Sequence, residues 1–264
     1  MKYQAELSAA IAAAKLAEVH ILKVYGTSFD VEIKSDDSPV TAADKGADEI
    51  IRNHLARLFP EDGFLTEESQ DTPERFSKKR IWIVDPVDGT KEFVSRTGQF
   101  TTNIALAEEG RIVVGVINVP TMGILYYAVE GEGAFCMEKD GKVRKIRVSE
   151  RKDHLRTMRS ISFFNEKEKA FLSAHADAFE GEPVMVGAAL KFCLLAQGDY
   201  EFFYRISAGT KEWDVAPGDL LVAEAGGIMV DGNGKRFTYN RHDVYNRDGY
   251  MMANCPENLF GMLK

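Results

Sequence analysis

The segment Trp82-Ile83-Val84-Asp85-Pro86-Val87-Asp88-Gly89-Thr90 places two carboxylates three positions apart, after an apolar run and before a glycine and a threonine. Carboxylates at the end of a buried strand can converge on one cation. Glycine lets the backbone approach an anion closely, and N–H groups at a helix start can bind phosphate. The same residues also read as an Asx turn with Asp88 capping a helix. Two further acidic elements weigh on the choice. Glu67-Glu68 follows Gly63-Phe64-Leu65-Thr66, a turn and short strand, and Asp214 follows Trp213 at the start of an apolar helical pattern, where it also reads as a simple N-cap. Four or five carboxylates on strand and helix ends suit a hard cation with oxygen ligands. The five histidines show no metal-binding spacing, which argues against zinc. No G-x-x-x-x-G-K-[ST] loop and no G-x-S-x-G elbow occurs, which removes P-loop and α/β-hydrolase chemistry.

The elements that must position these residues are legible in outline. Leu7, Ile11, Ala14, Ala17, Ile21 and Tyr25 recur at helical spacing and predict a helix ending at Gly26. Ser38-Pro39-Val40-Thr41 leads into a second helix stopped before Pro60, with Thr41 and Asp44 spaced as a capping box. Ile81 to Val84 reads as a short buried strand. Runs at 104–106, 112–119, 124–129 and 143–148, separated by glycine-rich turns, read as a mostly antiparallel meander. Gly131-Glu132-Gly133 is a hairpin turn to which no function is given. Beyond it, Val186 to Gln197 and Val215 to Ala225 read as helices, and 228–230 and 250–253 as strands. The fold class is α+β or α/β. A soft boundary near residue 150 divides an N-terminal half, 1–149, carrying most of the carboxylates, from a C-terminal half, 150–264, carrying Asp214.

The chain has 264 residues, enough for a substantial core. Its formal net charge of −8 makes it a poor non-specific binder of nucleic acid polymers or anionic membranes. An anionic substrate must therefore be drawn by bound metal or by a few placed cations. Lys191, on an otherwise apolar helix, and Arg205 are candidates, though Lys191 also reads as a side chain snorkelling to solvent. Cys136, Cys193 and Cys255 have no paired spacing and read as reduced thiols. With no signal peptide and no apolar run near the ~18 residues that span a bilayer, the expected location is the cytoplasm.

Taken together, Asp44 in Val40-Thr41-Ala42-Ala43-Asp44, Glu67-Glu68, Asp85-Pro86-Val87-Asp88-Gly89-Thr90 and Trp213-Asp214 resemble the inositol monophosphatase superfamily along nearly the whole chain. Gly89-Thr90-Lys91-Glu92-Phe93, Glu212-Trp213-Asp214, the Gly187 to Cys193 segment and Tyr204-Arg205 resemble its CysQ branch, the 3'(2'),5'-bisphosphate nucleotidases. Two places depart from that branch. Ala188 stands where serine is usual, and Arg159 to Phe164 replaces a Ser-Arg-Ser-His stretch without its histidine. The resemblance implies the layered αβαβα sandwich of the inositol monophosphatase and fructose-1,6-bisphosphatase type.

It also implies two to three Mg²⁺ ions, with Mn²⁺ as a possible substitute. Glu67, Asp85 and the Val87 carbonyl would hold one; Asp85, Asp88 and Asp214 would hold another; a third would share Glu67. Thr90, oriented by Asp44, would position and deprotonate the attacking water, and Gly89 and Thr90 N–H groups would face the phosphate. Asp214, Lys191 and Arg205 would contact substrate. The implied reaction converts 3'-phosphoadenosine 5'-phosphate to AMP in sulfur metabolism, with sensitivity to Li⁺. Inositol or sugar monophosphate hydrolysis and non-catalytic metal or nucleotide binding are the alternatives. The chain is expected to act as a monomer or homodimer.

Overall fold

In the computed structural model, residues 2–33 and 39–260 are described, so Ser38 lies outside them. Helix α1 (Gln4–Tyr25) buries an alanine-rich face, Ala9, Ala10, Ala13, Ala14 and Ala17, and ends where the Gly26 N–H donates to Leu22 O. A short ribbon of β1 (Glu32–Ile33) and β2 (Pro39–Val40) leads to α2 (Ala42–Leu58). Small residues let the two helices approach closely. A side chain on Gly46 of α2 would fall 2.2 Å from the His20 ring.

A seven-stranded sheet follows. Its order is β3 (Gly63–Thr66), β4 (Arg80–Asp88), β5 (Thr101–Glu108), β6 (Arg111–Val119), β7 (Ile124–Val129), β8 (Gly133–Met137) and β9 (Val143–Ile146). Only the β3–β4 pair is parallel. A short helix, α3 (Thr90–Val94), interrupts the chain between β4 and β5. Strand alternation sorts side chains to two faces. Trp82, Val84, Ile104, Leu106 and Val116 pack under α1 and α2. Ile81, Ile83, Ala105, Ala107 and Ile117 pack on the other face, against α5 (Leu190–Ala196) and α6 (Glu212–Glu224).

The C-terminal half supplies a parallel pair, β10 (Met158–Ser160) with β11 (Val184–Val186), and helix α4 (Glu166–Ala174). It also supplies an antiparallel sheet ordered β12 (Phe202–Arg205), β14 (Tyr250–Ala253), β13 (Ile228–Asp231). Phe203, Met229 and Met252 face α5 and α6, while Phe202, Val230 and Met251 face Phe171 and Leu172 of α4. The layers therefore run α1/α2, large sheet, α5/α6, small sheet, α4, which is an αβαβα sandwich. The core between the sheets draws on both halves of the chain, across the boundary expected near residue 150.

Several sequence expectations change. The strand read as 81–84 continues to Asp88. Helix α5 begins at Leu190 rather than Val186, because Val186 belongs to β11 and Ala188 sits at φ +50°, a left-handed turn that ends the strand. Helix α6 begins at Glu212, which puts Asp214 inside its first turn and not at the cap. The 143–148 run forms a strand only to Ile146, and β8, β10, β11 and β12 were not anticipated.

Helix α6 lies so close to the large sheet that a Cβ on Gly115 would be 2.9 Å from the Pro217 carbonyl oxygen. Gly115→Ala should cost about 1–3 kcal/mol by overpacking, read as a lower thermal midpoint; an unchanged midpoint would show that α6 can shift freely. The same helix holds a half-buried acid. Asp219 accepts a hydrogen bond from the Tyr239 hydroxyl at 2.8 Å, yet burial outweighs that bond and pushes its carboxyl up to about 6. The native state therefore holds this proton more tightly than the unfolded chain. The associated stability is complete below the unfolded value near 4 and is lost as pH rises through about 6. Between about pH 4 and pH 7, the melting temperature of Asp219→Asn should move in the variant's favour relative to wild type. A difference constant across that range would contradict the assignment.

Candidate metal centre and active site

Parallel pairing places the first two carboxylates side by side. Thr66 of β3 pairs with Val84 of β4, and the Glu67 N–H donates to Val84 O at 3.1 Å, so Glu67 emerges beside Asp85. Asp85 and Asp88 would face opposite sides of a regular strand, being three positions apart. The ladder with β5 is irregular here: Asp85 pairs with Asn103 and Asp88 with Thr101, three steps against two. That one-residue bulge turns both carboxylates to the same face, and it is where a strand tolerates proline, here Pro86. Gly89 follows at φ +88°, hemmed in by Ala188, Gln99 O and Glu92, a position only glycine fills without strain.

Asp214 arrives from the other half on the first turn of α6, where its Oδ2 accepts from the Lys211 N–H at 2.6 Å. Pro217 has no N–H to offer the Trp213 carbonyl one turn back. Asn103 Nδ2 donates to that carbonyl at 3.5 Å and to Asp88 Oδ2 at 3.2 Å, which ties the two segments together. Behind them, fully buried Glu212 accepts from the Asn240 and Arg241 N–H groups and from Arg241 Nε at 2.7, 2.8 and 3.0 Å. Buried Arg75, downstream of Glu67, bonds Asp71, Asn240 Oδ1 and Arg241 O. Asn103, Arg241 and Arg75 were not singled out from sequence, and Glu212 stood out there only as part of the Glu212-Trp213-Asp214 motif; a buried charge carries no periodic signal of its own.

Oxygens of Glu67, Asp85 and Asp214 lie within 4.8 Å of one another, a grouping that could hold a metal ion. The electrostatics agree. Burial, then repulsion from Glu67, Asp88 and Asp214 and a hydrogen bond with Glu67, holds the Asp85 carboxyl well above the carboxylate range. Asp214 is raised in the same direction by burial and then by Asp88 and Glu67. Burial pushes Asp88 up to about 6, against the opposing pull of Lys191 and Asn103. All-oxygen donors that repel each other until protonated or bridged by a cation fit a hard divalent ion. Asp88 stands outside the tightest group but belongs to the same electrostatic set.

Asp44 serves both tasks expected of it, the cap and the contact with Thr90. It is buried, and its Oδ2 closes the capping box with Thr41, from N at 2.8 Å and Oγ1 at 2.6 Å. Its Oδ1 accepts from Thr90 Oγ1 at 3.0 Å. One carboxylate thus caps α2 and holds Thr90, whose hydroxyl also lies 3.2 Å from Val87 O. Burial raises the Asp44 proton affinity despite these donors.

A cavity of about 590 Å³ joins Glu67, Asp85, Val87, Asp88, Gly89, Thr90 and Asp214 to Lys191 and Arg205. Lys191 is 7% exposed, so it does not snorkel to solvent. Burial lowers its proton affinity while Asp88 and Glu92 pull the other way, and its Nζ donates to Ala188 O. The Arg205 guanidinium donates to Phe163 O and lies 3.5 Å from Glu168 Oε1. Trp213 and Ser207 also line the cavity, and Trp213 Nε1 and Ser207 Oγ are buried without a hydrogen-bond partner among the described residues. The three cysteines are unpaired thiols. No helix among the described residues is long and apolar enough to cross a membrane.

The sequence profile of the inositol monophosphatase family matches residues 2–256. The 3'(2'),5'-bisphosphate nucleotidase CysQ of Salmonella typhimurium is 36% identical over 236 residues, covering 88% of this chain and 93% of that protein. The CysQ of Escherichia coli K12 gives the same figures. Among solved structures, CysQ from Bacteroides thetaiotaomicron matches with a TM-score of 0.84 and 31% identity, over 95% of this chain and 97% of that one. The extragenic suppressor protein suhB of Bartonella henselae matches with 0.81 and 29%, over 95% and 94%. With its fold, its carboxylate cluster and these likenesses in agreement, the chain belongs to the inositol monophosphatase family of metal-dependent phosphatases.

Proposed function

We propose that the protein is a Mg²⁺-dependent phosphatase for a 3'(2'),5'-bisphosphate nucleotide, hydrolysing 3'-phosphoadenosine 5'-phosphate to AMP and phosphate. The observation that carries this reading is a single cavity lined both by the carboxylate cluster and by buried Lys191. The relatives named as bisphosphate nucleotidases support it. So do Phe163, Phe203, Trp213, Tyr245 and Tyr250 in the cavity wall, which offer aromatic surface to a nucleobase.

Glu67, Asp85, Asp88, Asp214 and the Val87 carbonyl are the donors that would hold two to three Mg²⁺ ions, or Mn²⁺ in their place. When bound, such ions lower the pKa of an attacking water and stabilise the departing oxygen. The remaining work falls to the chain. Asp44 Oδ1 takes the Thr90 hydroxyl proton in hydrogen bond, which leaves Thr90 Oγ1 free to accept a proton from the water it orients. Its raised proton affinity suits that role. The Gly89 and Thr90 N–H groups face the phosphate, and Asp214 serves both metal and substrate. Lys191 meets the second phosphate, its buried charge worth more than one in water. Arg205 contributes at the same end. An inositol or sugar monophosphatase would use the same carboxylates without needing Lys191.

The test is phosphate release from a bisphosphonucleotide, AMP, inositol 1-phosphate and fructose 1,6-bisphosphate, with and without Mg²⁺. Activity should require the metal and favour the bisphosphonucleotide; equal rates on inositol 1-phosphate would end the nucleotidase reading. Asp88→Asn should lower kcat by roughly 10²-fold or more, and wild-type phosphate release by that variant would end the metal mechanism. Lys191→Met removes a charge-assisted contact, so its kcat/KM on the bisphosphonucleotide should fall about 10–100-fold while the small monophosphate is spared. Equal losses on both substrates would place Lys191 with the common chemistry instead.

A further inference from the structure

The wall of the cavity holds a buried acid that the proposed chemistry does not use. Glu92 is 4% exposed, sits in α3 and lines the cavity. Its Oε1 accepts from the Ser162 hydroxyl at 2.6 Å, across seventy residues of sequence. Its Oε2 is 3.3 Å from where a Gly89 side chain would begin, and its Cγ is 3.0 Å from the corresponding point on Gly187. The acid therefore stands where three segments meet: the Gly89 turn, the Ser160 to Phe164 segment, and the Gly187-Ala188 turn leading into α5 and Lys191.

The Ser160 to Phe164 segment has little else to hold it. After Ser160 it leaves β10, and it belongs to no helix or strand before α4. Its Phe163 ring is 48% exposed at the cavity wall, with Lys91 Nζ 4.3 Å and the Arg205 guanidinium 5.1 Å from the ring centre. The Phe163 carbonyl accepts from Arg205. The rim is thus fixed at two neighbouring residues: Ser162 by Glu92, and Phe163 by Arg205. Losing the Glu92 bond loosens Ser162 and leaves the rim to the Arg205 contact, with no ladder to restore its position.

We propose that Glu92 is a positioning residue that pins the Ser162-Phe163 rim onto the Gly89 turn, and so sets the preference for a substrate large enough to reach the rim. The inference rests on the proposed nucleotidase reading. A bisphosphonucleotide reaches from the carboxylates to the rim, whereas a small monophosphate is held by the carboxylates and the Gly89 turn alone. The pin therefore acts on binding of the distal part of the substrate and not on the phosphoryl chemistry.

The experiment compares Glu92→Ala, Ser162→Ala and Glu92→Gln with wild type in Mg²⁺, measuring kcat and KM on the bisphosphonucleotide and on inositol 1-phosphate, with melting temperatures. Glu92→Ala and Ser162→Ala should each raise KM for the bisphosphonucleotide about 5–10-fold, the scale of one hydrogen bond's net contribution, with kcat changed less than three-fold. Their kcat/KM on inositol 1-phosphate should change less than three-fold. Glu92→Gln, whose amide oxygen can still accept from Ser162, should recover most of the KM, which a merely structural role for the charge would not produce. If wild type shows no preference for the bisphosphonucleotide, the underlying reading fails and this inference with it. If the ratio of kcat/KM between the two substrates is the same in both alanine variants as in wild type, or if kcat falls equally on both substrates, only this inference is overturned.

Discussion

Mutual repulsion among crowded carboxylates is the constraint around which this structure is arranged. Oxygens of Glu67, Asp85 and Asp214 come within 4.8 Å of each other. Full charges at that separation would repel by about 3 kcal/mol per pair at an effective dielectric near 20. Summed over three pairs, that rivals the net stability of a typical domain, about 5–15 kcal/mol. Full charge on the cluster is therefore costly without a counter-ion, and burial adds to that cost as the largest cause of the raised proton affinities of Asp85, Asp88 and Asp214. A site that is costly when empty and fully charged is also one whose cation removes a large repulsion.

Such a cluster persists only if its supports are stiff, and each carboxylate has a different one. Parallel pairing with β4 fixes Glu67. A proline-containing bulge in a central strand turns Asp85 and Asp88 together. A helix start fixes Asp214, and Asn103 fills the hydrogen-bonding gap that Pro217 leaves while holding Asp88. Behind them, Arg75 and Arg241 join the segment after Glu67 to Glu212, two residues before Asp214. Buried charge networks of this kind add little net stability against an apolar alternative, but breaking one member leaves an unpaired buried charge, which is strongly destabilising. The network thus maintains relative position between two halves of the chain that have no strand pairing between the large and small sheets.

Much of this was legible in the sequence, for identifiable reasons. Helical spacing gave α1 and α2, and the Thr41/Asp44 capping box is local chemistry that a sequence states directly. The carboxylates stood out because strand ends and helix starts are marked by residue type. What failed was any feature set by partners distant in sequence. The length of β4 depends on a bulge opposite Asn103, and the start of α5 depends on a left-handed turn at Ala188 that no propensity announces. The short strands β10, β11 and β12 are three or four residues long, too brief to show a period. The supporting role of Arg75 and Glu212 was invisible for a related reason: each looks like a surface charge until the fold buries it.

The two cations flagged by sequence differ in what the fold does with them. The Arg205 guanidinium is occupied by the Phe163 carbonyl and by Glu168, so its first effect is to hold chain. Lys191 is buried to a similar degree, but among the described residues its Nζ has one backbone carbonyl, Ala188 O, as hydrogen-bond partner, and it sits in the field of Asp88 and Glu92. An ammonium has three donors, and a buried one needs them filled or balanced by charge. A phosphate in the cavity would supply both. The arginine, with five donors in a rigid fork, suits the structural task of bridging a carbonyl and a carboxylate. The lysine, a point charge on a flexible stem, suits a ligand that comes and goes. In this fold, the residue less satisfied by the protein is the one better placed to meet a ligand.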